Sequence, residues 1–407
     1  MAIVVSISHR QSTSNAQPLV QPNIERSKKL ELVGTPSCSA SVCHGGSDLG
    51  QPRSEATTWR ALDPHARAYD TLLSAQSKAI AKHLWGDTIQ AHDASLCLKC
   101  HVHPEYEHAR PNFRRGDGVG CESCHGAAHD WLTPHYRAAN QKKLGMADTK
   151  SLPGRASICV TCHVGTPDAN VDHDLIAAGH PPLRFEFATY FANLPPHWDV
   201  EKDRKANKPK NIVVDFEFQT WGVGQDISAA AAAELRAYRA DPKNGKPWPE
   251  FAELDCFSCH HDLHAKSRRQ DEAYLQGRRP GQLFMNQWYD VMTWLTYPGI
   301  QEVTRAQRPT LDPVKDRAEI ASLARKHAAR YRETAKIRQM DAHHIARLKD
   351  VAENVSKTDV ELAHADVSAQ FYLALLASGR IYRNDELTAR LRQGATFPPG
   401  YNSPHKK

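Results

Sequence analysis

Five short sites, each with two cysteines and a histidine, constrain this chain more than anything else in its sequence. Cys97-Leu98-Lys99-Cys100-His101, Cys121-Glu122-Ser123-Cys124-His125, Cys159-Val160-Thr161-Cys162-His163 and Cys256-Phe257-Ser258-Cys259-His260 each separate two cysteines by two residues and set a histidine directly after the second. Cys38 and Cys43-His44 repeat the arrangement with four residues between the cysteines, and the five sites use all ten cysteines. This is the signature of covalent c-type haem attachment: each thiol adds to a haem vinyl group and the adjacent histidine ligates the iron. Paired cysteines also bind zinc, but zinc does not need a histidine after the second cysteine of every pair. A disulfide framework suits a short secreted scaffold better than a chain of 407 residues. The spacing therefore predicts five covalently bound haem c groups, with Cys38, Cys43, Cys97, Cys100, Cys121, Cys124, Cys159, Cys162, Cys256 and Cys259 as tethers.

Composition fits that reading. Aromatic residues make up 8% of the chain, and the mean hydropathy is −0.59. That is thin for a side-chain core of this size, and porphyrins would do much of the filling. The formal net charge is +6 with neutral histidines. The excess of Lys and Arg reads as partners for haem propionates, not as a nucleic-acid footprint, and no aromatic-studded basic motif argues for RNA or DNA. Haem is attached to such cysteines outside the cytoplasm, so a periplasmic or otherwise exported, soluble protein is expected. Ile3-Val4-Val5-Ser6-Ile7 and Ser14-Asn15-Ala16 read as part of a secretory leader over residues 1–27 with no basic n-region. No apolar run approaches the length of a membrane span.

Taken in order, residues 28–200 read as a four-haem core and 201–265 as a charged linker, an alanine-rich helix and the fifth site. Residues 266–407 read as a haem-free helical region. A helix is expected from Trp59 to Leu84, with Pro64 in its first turn. His173 and His180, seven residues apart, are expected on one face of a helix ending at Gly179. Glu201 to Lys210 reads as linker, and Ser228 to Arg239 as the alanine-rich helix. Beyond the last cysteine, Ile320, Leu323, Ala324, His327, Ala328 and Tyr331 form one apolar stripe, repeated by Ile345, Leu348, Ala352 and Val355. Thr358 with Glu361 reads as a capping box for a further helix stopping at Gly379. The fold class is mainly α: a multihaem cytochrome c with closely stacked haems, long loops, little β-sheet and a C-terminal antiparallel helical layer.

Residues 38 to 165 resemble the cytochrome c-554 family. The matching features are Trp59 to Ala66, Cys97-Leu98-Lys99-Cys100-His101-Val102, Gly118 to Gly126 and Cys159 to His163, in that order. The wider first site, the fifth site and the helical tail depart from the family. The resemblance implies electron transfer and a close-stacked haem core. It also implies that His65 caps the haem of the third motif, and that His135 or His129 caps that of the first. The family's second haem lacks a strong distal ligand, which would leave the iron at His101 open.

Axial ligation draws on 23 histidines. His44, His101, His125, His163 and His260 are the proximal ligands. The distal candidates are His65 and His135, then His180 and His173, with His197 and His129 behind them. His261 is expected to point away from the iron held by His260, while His327, His343, His344 and His364 belong to the tail. No methionine has a context that marks it as a ligand. Arg184 and Glu186 could anchor a propionate or substrate, although a structural salt bridge is the simpler reading. Trp131, Tyr136, Trp198 and Trp221 are expected against porphyrin faces. The function indicated is electron carriage between redox partner proteins, a membrane-bound quinone-oxidising complex being one candidate partner. The alternative is an enzyme acting on a small nitrogen or sulfur compound at one open iron, with His83, His92 or Arg110 lining the pocket. A structural or sensory haem module is the third class.

Overall fold

Strand pairing in this chain is confined, among the described residues, to isolated bridges joining Leu32 to Ala109, Thr166 to Ala169 and Leu254 to Met285. The architecture is helical, as the sequence indicates. The computed structural model describes residues 31–137, 141, 143–208, 214–267, 270–271, 275, 279–293, 312–337, 340–357, 365–379 and 382–395. The leader, His364 and the Thr358–Glu361 box lie outside the described residues.

The N-terminal half is built of short pieces. The single helix expected from Trp59 to Leu84 is instead α1 (Glu55–Leu62), a 3-10 turn (Pro64–Arg67), α2 (Ala68–Thr71) and α3 (Ala75–Trp85). The break follows from local chemistry. Pro64 holds Asp63 in extended backbone, and the Asp63 carboxylate accepts from the His65 N–H at 2.9 Å, opening a new turn. The Ser74 hydroxyl then caps α3 by accepting from Ser77. Helices α4 (Ser95–His101), α5 (Cys121–His125) and α6 (Leu152–His163) each end on an attachment histidine.

Helix α7 (His173–Ala177) is shorter than expected. Gly179 takes φ +120°, and the His180 N–H turns back to the Leu175 carbonyl at 3.0 Å. His173 thus opens the helix and His180 lies beyond its end, so the two do not share a face. After α8 (Phe187–Asn193), much of the expected linker is α9 (Val200–Ala206), tied down by Arg155 of α6 through Asp203.

The alanine-rich helix begins twelve residues earlier than expected, as α10 (Phe216–Ala240). It is buried on nearly every side, as an all-round apolar helix must be. Two glycines make that possible. A Cβ at Gly224 would stand 2.6 Å from the Cβ of Phe187 on α8, and one at Gly222 would stand 2.4 Å from the sulfur of Met340.

Helix α11 (Arg317–Ile337) lies along α10 in the opposite direction: Arg317 reaches the Ala240 carbonyl, Arg325 pairs with Asp241, Arg332 pairs with Glu234, and the Met340 N–H reaches Gln219. The expected stripe faces inward at Ile320, Ala324, Ala328 and Tyr331. Helices α12 (Ala342–Lys357), α13 (Ala365–Ala377) and α14 (Asp385–Gly394) complete the layer. Ile345, Leu348 and Ala352 join Phe218, Trp221, Phe371 and Leu391 in one core. Trp221, expected against a porphyrin face, is instead a core residue of the helical layer, stacked on Phe218 at 5.3 Å. No helix among the described residues is long and apolar enough to cross a membrane.

Candidate haem-binding sites

None of the ten cysteines is in a disulfide, and they approach one another between motifs. Cys38 lies beside Cys121, and Cys100 beside Cys162. Cys124 lies close enough to Cys159 and Cys162 to feel their charge. The first motif therefore neighbours the third, the third neighbours the fourth, and the fourth neighbours the second. Burial pushes the Cys159 thiol up to about 12 and the Cys256 thiol up to about 11. The four residues between Cys38 and Cys43 are taken up by a turn in which the Cys43 N–H donates to the Ala40 carbonyl at 2.8 Å.

Around these cysteines, imidazoles face each other in pairs. His44 and His135 have ring centroids 6.0 Å apart, His65 and His163 6.0 Å, and His125 and His197 6.4 Å. Two imidazoles sharing one metal ion between them, on bonds of about 2 Å, have ring centres about 6 Å apart. Their interplanar angles of 29°, 81° and 68° are all compatible with that, since each ring need only contain its own metal–nitrogen axis.

The outer ring nitrogens fit as well. A metal-bound histidine donates its other N–H to a carboxylate or carbonyl, which fixes the tautomer. His44 Nδ1 donates to Glu55 at 2.9 Å and His65 Nδ1 to Asp63 at 2.8 Å. His135 Nδ1 donates to the Leu132 carbonyl at 2.7 Å, His101 Nδ1 to Ala68 at 2.9 Å and His180 Nδ1 to Pro181 at 2.8 Å. In all five this leaves Nε2 for iron. Burial, followed by the field of neighbouring histidines, holds His125 and His163 down at about 4, in the neutral form a ligand needs. Burial also lowers His180, with His101 close enough to add to the effect. No group of three His, Cys, Asp or Glu side chains converges on a metal-sized point among the described residues.

His65 faces His163 of the fourth motif, whereas the resemblance assigned it to the third; the turn at Asp63 and Pro64 aims it there. The partner of the third-motif histidine is His197, which sequence ranked low. His129 bonds Asp130 at the surface, and it is His135 that reaches His44. His173 sits edge-on to Phe251 at 5.4 Å, and its N–H donates to Glu250, on the approach to the fifth motif. His261 is buried, with Nδ1 on the Asp262 carbonyl. In the tail, His327 lies against Tyr331, His343 is exposed and His344 bonds Asp341.

Trp131 stands edge-on to His135 and Trp198 edge-on to His197, while Tyr136 is exposed. Arg184 pairs with Asp366 at 3.2 Å, and Glu186 caps α8 through the Ala188 and Thr189 N–H groups, so the two form separate structural contacts. Of the residues named for an open site, His83 contacts the Ala178 carbonyl and His92 lies by Asp93, while Arg110 pairs with Glu31.

Two features escaped the sequence reading. Glu122, inside the third motif, is buried and accepts from Val33, Gly34 and Ala128 at 3.0, 2.8 and 2.7 Å, pinning the entry to the first motif against the third. Arg239 of α10 joins Glu253 to Asn170 and the Val171 carbonyl, and Arg236 joins Glu253 to Asp290. This buried network holds the fifth-motif loop to the segment bearing His173. The only advance signal was two arginines three apart in an otherwise alanine-rich helix.

Residues 37–126 match the family model described as "Cytochrome c554 and c-prime", a stretch that contains the first three motifs. No curated protein and no solved structure matches the chain.

Proposed function

From a chain that, over residues 37–126, is a c-type cytochrome resembling the c554 family, with covalently bound haem c and a part in electron transfer, we propose an exported five-haem electron carrier. One observation carries the reading: three motif histidines each face a histidine from elsewhere in the chain at 6.0–6.4 Å. Each bound haem supplies a one-electron iron couple whose potential follows its axial ligands and surroundings. The ten thiols tether the groups. His44 with His135, His163 with His65 and His125 with His197 would hold three of the irons. His101 with His180, which lie near each other, would hold a fourth, and His260 would hold the fifth with His173, whose segment is tied to the fifth-motif loop, as the candidate second ligand. Irons so held would offer no vacant face to a small substrate, and the position of His180 near His101 weighs against an open second site.

The nearness of Cys100 to Cys162, of Cys124 to Cys159 and Cys162, and of Cys38 to Cys121 supports the order second, fourth, third, first. Electrons would pass between neighbours along that order, and donor and acceptor proteins would dock at its ends. A membrane-bound quinone-oxidising complex is one such donor.

The test is low-temperature EPR of the oxidised protein, with optical spectra before and after nitric oxide. Five low-spin haems that ignore nitric oxide are expected. A high-spin haem that binds it would overturn the carrier reading in favour of an enzyme.

A further inference from the structure

The outer partners of the ligand rings are of two chemical kinds. His101, His135 and His180 donate to neutral backbone carbonyls, whereas His44 and His65 donate to carboxylates. We propose that Asp63 and Glu55 are tuning residues that make the irons at His65 and at His44 the low-potential sites of this protein. The inference rests on the axial assignment above. A carboxylate on the outer N–H makes an imidazole a stronger donor and favours the ferric state, and a carbonyl dipole does so less.

Geometry separates the two residues. Asp63 is 4% exposed, so its charge is little screened. Its Oδ1 accepts from both the backbone N–H and the ring N–H of His65, at 2.9 and 2.8 Å, which fixes carboxylate and ring as one unit. The Glu55 side chain is 28% exposed and spends its second oxygen on the Arg53 N–H at 3.0 Å. Its effect is the smaller. In the order second, fourth, third, first, the two low sites are the fourth and the first, so low and high potentials alternate along the row.

Asp63→Asn separates charge from shape, because an asparagine oxygen accepts the same two N–H groups and asparagine is as good a helix cap as aspartate. Potentiometry followed by optical and EPR signals is expected to show one haem moved at least tenfold toward the ferrous form, about 59 mV for one electron. All five haems stay low-spin and the other four potentials stay put. Glu55→Gln moves a different haem the same way, by less. If Asp63→Asn does not fold, Asp63→Ser keeps a capping oxygen and serves instead. Unmoved or lowered potentials with low-spin haems retained would overturn the inference. His65→Ala keeps the two readings apart. If it leaves every haem low-spin, the axial assignment has failed, and the inference fails with it. If it turns one haem high-spin while Asp63→Asn moves nothing, the tuning inference alone has failed.

Discussion

The ligand assignments differ most sharply at single histidines. His135 faces His44 with its outer nitrogen on a carbonyl, while His129, six residues earlier, spends its ring on Asp130 at the surface. His135→Ala should therefore turn one haem high-spin, and His129→Ala should turn none; EPR of the two variants decides it. His197→Ala should do the same to a different haem. The motif histidines stand out in sequence because each adjoins its cysteine pair. The rings that face them do not, because each comes from tens of residues away. Which rings face each other depends on turns such as Asp63–Pro64 and Gly179, and hydrophobic periodicity does not encode those. His197 carried only a weak local signal, a tryptophan beside it and two prolines before it.

At the scale of elements, α10 is the part that sequence underestimated. Its first half holds Gly222, Gly224 and Thr220, which lower helix propensity, so only the alanine run stood out. The glycines answer to packing instead. Gly224→Ala should destabilise the protein by about 1–3 kcal/mol, because the Phe187 Cβ is fixed by α8 and overpacking outweighs the helix-propensity gain. Gly222→Ala should cost less, since the far end of Met340 can move aside. Thermal unfolding of both variants tests the order. Glu253→Ala would leave two buried guanidiniums short of a partner and should cost about 3–5 kcal/mol. Loosening of the fifth-motif loop should show as faster hydrogen exchange at Asp255 to Ser258. The tail helices were more legible, because Ile320, Ala324, Ala328 and Tyr331 bury the stripe that their spacing indicates.

Over the whole molecule, motif-rich and motif-free parts share α10. One face of it packs against α6, which ends on the fourth motif, and another against the C-terminal layer. The tail is thus continuous with the structure that carries the haem sites, a relation that separate periodicities in the sequence did not reveal. The central claim is that every cysteine pair holds a haem, including the first pair, with its wider spacing, and the fifth, which lies outside the matched segment. Intact mass of the denatured protein, matured in a host that attaches haem c, measures this most directly. The account predicts a single species heavier than its polypeptide by five haem masses, with no free thiol. A species carrying four haems or fewer, with the remaining cysteines titrating as thiols, would contradict it.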